Sequence, residues 1–379
     1  MIIGIDLTKT NFKTPVGTDV YTIEMTKALI KANLTDNFIL LTTGLEAKVF
    51  WQQTLGSFSN YEIVGLQGRF LITQLQVMLA SFQYRQINVL WEPVPTLPLL
   101  HRPGLRVVVT VHGEIDRSLS LRWSVKYADT IIVVSEATKT NLIRMYGQKE
   151  ITIIPEGVDA AVFYPRQSSE MVTLANKYNL RSPYFLYVGT INKRKNLTNL
   201  IAAFAKLNQT DLKDHYDLVI AGSGGDIKFS ISDRVKFLGR VATADLPILY
   251  SYAEATCLVS HEEGFGLPVI ESLACGTPVV VSDRVGVQLD FSKVGVVVGS
   301  GSVDSIADGL IEVARLRNTN DDICQKCLTM SKRFSWEKAA ESLFMSFRAS
   351  ASRDPESSQS NNTGHENRSE LLDSGSRPE

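Results

Sequence analysis

The sequence predicts an α/β protein made of two doubly wound domains that face each other across a cleft. Its 379 residues are about twice the length of a typical domain. Short apolar segments alternate with amphipathic ones, a pattern typical of right-handed βαβ units on parallel sheets. The alternation fills residues 1–165, pauses, and resumes after residue 182. We therefore expect one parallel sheet in each half of the chain.

The short apolar segments are predicted to be buried strands. Seven lie in the first half, at 2–6, 38–42, 62–66, 89–91, 107–111, 131–135 and 151–155, and six in the second half, at 184–188, 218–221, 235–238, 256–260, 278–282 and 294–298. Ligands of doubly wound domains bind outside the carboxyl ends of the strands. The functional site is therefore expected in the cleft between the halves.

Three helices are predicted with particular clarity. After Lys195, apolar residues recur along one face of 196–207. Residues 68–86 could lie on a membrane surface or belong to a βαβ unit, and the strand that follows at once favours a core helix. After Phe334, Ser335 suits the N-cap of a last helix, whose apolar face comprises Trp336, Ala339, Ala340, Leu343, Phe344 and Phe347. From Ala351 onwards the chain is poor in apolar residues and is predicted to be a disordered tail.

Composition and charge argue against several classes of protein. The chain has 39 Lys and Arg against 40 Asp and Glu and no long run of one sign, so we expect no nucleic-acid partner. It contains no apolar stretch of about 18 residues and opens on MIIGID without a signal-like segment, so a cytoplasmic protein is expected.

Cys324 and Cys327 form a CxxC pair, but no second pair stands at the spacing of a zinc site. The cysteines are therefore expected to be structural.

The stretch EEGFGLPVIE at 262–271 indicates an anion site. Gly264 and Gly266 permit backbone conformations that other residues avoid, and Pro268 suits the first position of a helix. The free N–H groups at the start of that helix would face a bound phosphate group. Glu263, before the loop, and Glu271, placed in the first turn of the helix, would border it. A glycine turn with two surface glutamates is the alternative interpretation.

The stretch YVGTINKRKNL contains a second phosphate-binding feature. Arg194 and Lys195 stand just before the helix predicted from Asn196. Two cations at a helix N-terminus can neutralise a diphosphate. The alternative is a solvated pair of surface charges.

Together these segments resemble the GT-B retaining glycosyltransferases, in particular the large family 4 of nucleotide-sugar-dependent enzymes. The matching segments are VSEATKTNLI at 134–143, IPEGVDAAVFYP at 154–165, YVGTINKRKNLTNLIAAF at 187–204, VKFLGRV at 235–241, EEGFGLPVIESLACGTPVVVSD at 262–283 and FSWEKAAE at 334–341. The resemblance covers nearly the whole chain up to about residue 350. It implies a GT-B fold with a Rossmann-like acceptor domain at 1–165, a Rossmann-like nucleotide-sugar domain at 166–335, a last helix at 336–350 that crosses back to the first domain, and a tail at 351–379.

The resemblance also implies a role for each matching residue. Glu263 would bind hydroxyls of the donor sugar and Glu271 the ribose. Arg194 and Lys195 would bind the diphosphate, and His112 would reach the transferred sugar from the first domain; Glu263, His112, Lys195 and Arg194 are thus the predicted catalytic residues. The other predicted donor-binding residues are Phe265, Gly266 and Leu267 in the loop, Arg240 and Val241 near the nucleobase, and Gly17 and Thr18, which let the backbone approach the phosphate and the acceptor.

The implied reaction is retaining transfer of a hexose, of the mannose or glucose type, to a saccharide or lipid-linked acceptor. Transfer places positive charge on the anomeric carbon and negative charge on the leaving phosphate. The sequence has no Asp-x-Asp pair for a divalent cation, so we expect no metal, and Arg194 and Lys195 would neutralise the phosphate. Family members with the RKN turn often resemble mannosyltransferases, which favours GDP-mannose over UDP-glucose as donor substrate. No bound cofactor is expected, and a lipid-linked acceptor would bring peripheral contact with the membrane.

Two departures from the family pattern leave the acceptor open. The segment from His112 to Ser135 is short, with Gly113 where an acidic residue is common, and Gly17 stands alone where many members have two glycines.

Two other functions stay open at this point. A nucleotide-sugar 2-epimerase of the same architecture would consume donor without an acceptor, and a non-catalytic sugar-nucleotide-binding protein would bind donor without turnover. A Rossmann dehydrogenase is disfavoured, since GIDLTKTNFKTPVG lacks the G-x-G-x-x-G pattern.

Overall fold

The protein contains two parallel sheets, one in each half of the chain. A computed structural model describes residues 1–56, 58–66, 70–95, 101–113, 118–147, 150–180, 183–207, 210, 215–224, 232–319 and 322–352. In these residues the sheets have seven and six strands. Every predicted strand is present within two residues of its expected bounds, which confirms two doubly wound α/β domains.

The first sheet has the strand order β3-β2-β1-β4-β5-β6-β7. Its strands are β1 (Ile2–Asp6), β2 (Asn37–Thr43), β3 (Tyr61–Leu66), β4 (Val89–Glu92), β5 (Arg106–Val111), β6 (Thr130–Val133) and β7 (Ile151–Ile153). The helices of this half are α1 (Gly17–Ala32), α2 (Gly44–Leu55), α3 (Phe70–Gln83), α4 (Leu119–Tyr127) and α5 (Glu136–Tyr146).

The second sheet has the order β10-β9-β8-β11-β12-β13. Its strands are β8 (Tyr184–Val188), β9 (Asp217–Ala221), β10 (Val235–Gly239), β11 (Ala255–Leu258), β12 (Val279–Ser282) and β13 (Gly295–Val298). The helices of this half are α6 (Ser168–Tyr178), α7 (Leu197–Leu207), α8 (Leu246–Tyr252), α9 (Leu267–Ala274), α10 (Val303–Thr319), α11 (Ile323–Ser331) and α12 (Trp336–Ala351).

The strand order of each sheet reverses at one place, and the loops at that place form a crevice. In the first sheet the reversal lies between β1 and β4, and in the second between β8 and β11, which are paired in parallel. The loop after β8 carries Arg194 and Lys195, and the loop after β11 carries Glu263. The two charged motifs of the second half are therefore neighbours because of the strand order.

The helices bury the faces that their sequence patterns predict, with one exception. The apolar face of α7 is buried against its sheet. Helix α3 is predicted to be a core helix, and Val77 and Ala80 are indeed buried, but Leu75, Leu79 and Phe82 on its other side are exposed. The apolar residues of α3 are thus divided between the core and the surface.

The last helix packs against the first half of the chain. The Ser335 hydroxyl accepts a hydrogen bond from the Lys338 N–H at 3.2 Å, as the N-cap prediction requires. The Trp336 ring contacts Tyr21 of α1 at a centroid distance of 5.9 Å, and Phe347 contacts Trp91 of β4 at 6.1 Å. All six residues of the predicted apolar face are buried.

The start of the predicted tail needs a correction, because Ala351 is still the last residue of α12. Ser350, one residue earlier, is buried. Residues 353–379 of the predicted tail lie outside the described residues. Within the described part of the chain, no helix has the length and apolar character needed to cross a membrane.

Candidate functional site

The cationic turn after β8 is built by two asparagines. Residues Lys193–Lys195 form a 3-10 turn, and the Asn192 side chain accepts a hydrogen bond from the Lys195 N–H at 3.1 Å. Asn196 has a left-handed backbone with φ 59°. Its side-chain amide donates to the carbonyls of Val259, at 2.9 Å, and Ser300, at 2.7 Å. The cations therefore sit on a separate turn before α7, and Asn196 ties that turn to the end of β11.

Glu263 lies beside two of the three cations of this turn, Arg194 and Lys195. Lys195 Nζ lies 2.5 Å from Glu263 Oε2, and each side chain is only 12% exposed. The Ser260 hydroxyl donates to the same oxygen at 3.1 Å. Arg194 lies 3.9 Å from Oε1 and donates to the Glu262 carbonyl at 2.9 Å. Glu263, which the family resemblance assigns to the sugar, is therefore paired with Lys195, which the resemblance assigns to the diphosphate. In the free protein the two charges neutralise each other.

The glycine loop leads into α9 as predicted, but Glu271 lies deeper than expected. Gly266 is the N-cap with φ 107°, and Pro268 stands in the first turn. Because α9 starts at Leu267, Glu271 lies in the second turn and not in the first. There it accepts a hydrogen bond from the Tyr250 hydroxyl at 2.7 Å.

The environment of Glu271 changes its acidity. Burial raises the pKa of Glu271 to about 7, and the nearby Glu156 acts in the same direction, while the Tyr250 hydrogen bond opposes it. Close to neutral pH this carboxyl group can therefore both donate and accept hydrogen bonds, which suits the recognition of a vicinal diol.

In the first half, His112 follows β5 and has partners at both ring nitrogens. Its Nε2 lies 2.7 Å from the Pro93 carbonyl oxygen, and its Nδ1 lies 3.3 Å from Glu156 Oε1. The edge of the Tyr21 ring packs against it at a centroid distance of 4.4 Å. To reach a sugar, His112 must therefore exchange one of its present partners.

The two halves meet at the backbone of His112 and the glycine loop. A Cβ atom on Gly264 would lie 1.7 Å from the His112 carbonyl oxygen, and one on Gly113 would lie 2.3 Å from the Gly264 Cα. Gly113 also has φ 112°. The Thr138 hydroxyl donates to the Gly264 carbonyl at 3.5 Å. The absence of side chains at both glycines is what allows this close approach.

The residues predicted near the nucleobase and the phosphate also lie together. Arg240 donates from Nη2 to the Pro15 carbonyl at 3.1 Å, and Val241 follows it directly. Gly17 and Thr18 begin α1, where Gly17 is exposed and Thr18 is half-buried. A Cβ atom on Gly17 would have no atom within 4 Å, so the space above this helix start is open.

The structure adds a charged residue that the sequence reasoning missed. Glu156 is 6% exposed and close enough to Glu263 and Lys195 for both to affect its pKa. It lies three residues after the end of β7, so the rule that ligands bind at the carboxyl ends of strands could have identified it. Tyr250 lies within α8, and no feature of the sequence distinguishes it.

The described residues offer neither a cluster that could hold a metal ion nor a disulfide. Among the described residues, no three His, Cys, Asp or Glu side chains are grouped so as to hold a metal ion. All four cysteines are free thiols. Burial raises the pKa of Cys327, in the CxxC pair, to about 12, so this thiol is unreactive at neutral pH.

Two family models match the two halves of the chain. Residues 17–162 match the model described as Glycosyltransferase Family 4, and residues 174–330 match the model described as Glycosyl transferases group 1. O-antigen chain mannosyltransferase B of Escherichia coli is 30% identical over 229 residues, which are 58% of this chain and 60% of that protein. The chain thus spans about three fifths of the length of the curated relatives it matches.

Solved structures share the fold over almost the whole chain. Sucrose-phosphate synthase from Thermosynechococcus elongatus superposes with a TM-score of 0.72 at 20% identity, covering 92% of this chain and 98% of that one. HepE from Anabaena, solved in complex with UDP-glucose, gives 0.72 at 16% identity, covering 92% of this chain and 100% of that one. These likenesses confirm the GT-B fold.

Proposed function

We infer from the two domain matches that the chain is a family 4 glycosyltransferase, and we propose that it transfers a hexose from a nucleotide-diphosphate sugar with retention of configuration. The observation that carries the proposal is the cluster of Arg194, Lys195 and Glu263 at the switch point of the second sheet, directly opposite His112. Cations beside a carboxylate, in a cleft between two doubly wound domains, suit a diphosphate joined to a sugar.

The proposed binding step changes the partners of two residues. Lys195 leaves Glu263 and binds the diphosphate, where its charge stabilises the leaving group. Glu263 then accepts hydrogen bonds from hydroxyls of the donor hexose. Arg194 assists at the phosphates, and Gly17 and Thr18 approach them from the first domain. Closure of the cleft brings His112 to the sugar.

The nucleoside would occupy the second domain. Glu271 is assigned to the ribose, and Arg240 with Val241 to the nucleobase. The loop residues Phe265, Gly266 and Leu267 would line the diphosphate at the start of α9, where the helix dipole favours an anion.

We propose GDP-mannose in preference to UDP-glucose as the donor. The RKN turn and the 30% identity to a mannosyltransferase support mannose. The acceptor is a growing saccharide or a lipid-linked saccharide in polysaccharide or glycoconjugate assembly. With a lipid-linked acceptor, the protein would work in the cytoplasm in peripheral contact with the inner face of the membrane.

The proposed reaction needs no divalent cation, because two side-chain cations are available for the leaving group. The proposed domain division is 1–165 for the acceptor side, 166–335 for the donor side and 336–350 for the crossover helix. The contacts of α12 with Tyr21 and Trp91 support the last assignment.

Thermal unfolding with a panel of GDP, GDP-mannose, UDP and UDP-glucose tests the donor assignment. A ligand at about 100 times its dissociation constant stabilises the fold by roughly 2.7 kcal/mol. We expect the largest shift with GDP-mannose and transfer that persists in EDTA. If none of the four ligands shifts the transition, the proposed function is wrong. Donor consumption without an acceptor would instead indicate an epimerase, and binding without turnover on any acceptor a non-catalytic protein.

A further inference from the structure

The two hydrogen bonds of His112 define where its protons lie. The Pro93 carbonyl can only accept, so Nε2, at 2.7 Å from it, carries a hydrogen. Nδ1 and Glu156 Oε1, 3.3 Å apart, share one proton. That proton lies either on Nδ1, giving an imidazolium beside a carboxylate, or on Glu156, giving a carboxylic acid beside a neutral ring. In both forms Nε2 is a hydrogen-bond donor.

The backbone that carries Glu156 is fixed by packing. Gly157 lies against the start of α12, where a Cβ atom would come within 2.3 Å of the Trp336 nitrogen. Val158 forms an isolated β-bridge with Ser335. Glu156 itself is 6% exposed. The carboxyl group is therefore presented to His112 by a rigid segment, at the place where the chain passes from one domain to the other.

We propose that Glu156 is a positioning residue for transfer, which holds His112 in the Nε2–H form and fixes the orientation of its ring. The donor hexose then meets a hydrogen-bond donor from the first domain. An oxygen of the bound sugar replaces the Pro93 carbonyl as the acceptor of that hydrogen. The identity of this ligand rests on the proposed function, whereas the state of His112 is a property of the free protein.

The charges around Glu156 favour retention of the shared proton. Burial raises the pKa of Glu156, and Glu263 acts in the same direction, while His112 and Lys195 oppose the increase. The ionisable groups within electrostatic reach of Glu156 are His112, Lys195, Glu263, Glu271 and Tyr21. Two of them are carboxyl groups that disfavour a further negative charge. The pair should therefore keep its proton at a pH above the usual range of a glutamic acid.

Two substitutions at Glu156 distinguish a role in positioning His112 from a role in packing alone. In Glu156→Gln, the amide N–H can still donate to Nδ1, so His112 stays in the Nε2–H form. In Glu156→Leu, Nδ1 loses its partner and the ring is free to turn away from the Pro93 carbonyl, so a hydrogen can reside on either nitrogen. Long-range ¹H–¹⁵N spectra of the histidine side chains distinguish these forms, with His112→Asn to assign the signals. We expect one Nε2–H form in the wild type and in Glu156→Gln, and a mixture in Glu156→Leu.

The same variants should differ in transfer. We expect kcat/KM to fall about 100-fold in Glu156→Leu and about tenfold or less in Glu156→Gln, since a misplaced hydrogen-bond donor costs that order of rate. The dissociation constant of GDP should change little, because no phosphate contact is removed. Glu254→Leu is a matched control, a partly buried carboxylate at the opposite, amino end of β11; it should lower stability without altering the His112 signals.

Three results would overturn the proposal. They are a form of His112 in the wild type at neutral pH with hydrogen on Nδ1 and none on Nε2, an unchanged single Nε2–H form in Glu156→Leu, and wild-type kcat/KM in that variant. The first needs no substitution and so stands even if Glu156→Leu fails to fold. Failure of the proposed function would have a different signature, in which no nucleotide sugar binds while the His112 form follows the expected pattern.

Discussion

The contact between Lys195 and Glu263 combines a short distance with low exposure. At 2.5 Å and 12% exposure on each side, the pair is far better shielded from solvent than a surface salt bridge, which contributes little to stability. Neither group can bind a ligand at full strength while it holds the other. Under the proposed function, donor binding at this site would therefore be an exchange of ionic partners.

Lys195→Ala should reduce transfer while leaving the fold intact. The variant removes the proposed charge-assisted contact with the diphosphate, worth roughly 1.5 to 3 kcal/mol. We expect kcat/KM to fall by about one to two orders of magnitude. Lys193→Ala, an exposed lysine in the same turn, is the matched control and should behave like the wild type. Steady-state kinetics that show equal activity in both variants would reject the phosphate site.

Glu271 should make stability depend on pH. Its pKa is about 7 in the folded protein against an ordinary 4.5, so the folded state binds the proton more tightly than the unfolded state. The contribution to the free energy of unfolding is complete below pH 4.5 and is lost as the pH rises through about 7.

Glu271→Gln removes this loss of stability at high pH, because the amide of glutamine stays neutral. At pH 8 the variant should be more stable than the wild type by about 1 to 3 kcal/mol, and the difference should shrink towards pH 5. Unfolding temperatures over this pH range provide the measurement, with the exposed Glu262→Gln as control. Parallel curves for Glu271→Gln and the wild type would show that the carboxyl group is not perturbed.

At the scale of elements, glycines determine how closely the loops of the two halves approach. Gly264 leaves no space for a side chain because the His112 carbonyl lies against it, whereas Gly17 faces open space. Gly264 is thus required by a contact within the protein. Gly17 is required only by the approach of the ligand, under the proposed function.

Substituting alanine at these two glycines should therefore have opposite consequences. Gly264→Ala forces the loop away from His112 and should lower the free energy of unfolding by about 1 to 3 kcal/mol, the usual cost of overpacking. Gly17→Ala should leave stability within about 0.5 kcal/mol yet weaken donor binding. Denaturant unfolding and nucleotide titration measure the two effects. Tight donor binding by Gly17→Ala would contradict the assignment of the α1 start to the phosphate.

At the scale of the whole molecule, α12 joins the two halves. It belongs to the end of the chain but packs against Tyr21 of α1 and Trp91 of β4. Tyr21 in turn contacts the ring of His112. The helix that links the halves therefore supports His112 through one aromatic ring, that of Tyr21.

Phe347→Ala should destabilise the first domain. Phe347 is fully buried, and removal of a buried phenylalanine ring costs about 3 to 5 kcal/mol. Met345→Ala, on the exposed side of the same helix, should change stability by no more than about 0.5 kcal/mol. Because the donor-side residues are untouched, nucleotide binding should persist in both variants under native conditions. Equal unfolding curves for the two variants would show that α12 does not hold the domains together.

The sequence by itself determined the strands, the two doubly wound domains and the two charged motifs of the second half. These features depend on local signals: runs of apolar residues, the positions of Gly and Pro, and cations beside a predicted helix. The apolar face of α12 and its Ser335 cap were also readable, since helical periodicity and capping involve residues close in the chain.

Only the tertiary structure decided which side chains meet. The Lys195–Glu263 pair, the partnership of His112 with Glu156 and the Tyr250 bond to Glu271 join residues between 21 and 68 positions apart. Such contacts depend on strand order and on the approach of one domain to the other, and no local pattern encodes their distances. The raised pKa of Glu271 could not be predicted from the sequence either. It is caused by burial, which depends on every residue that packs around the carboxyl group.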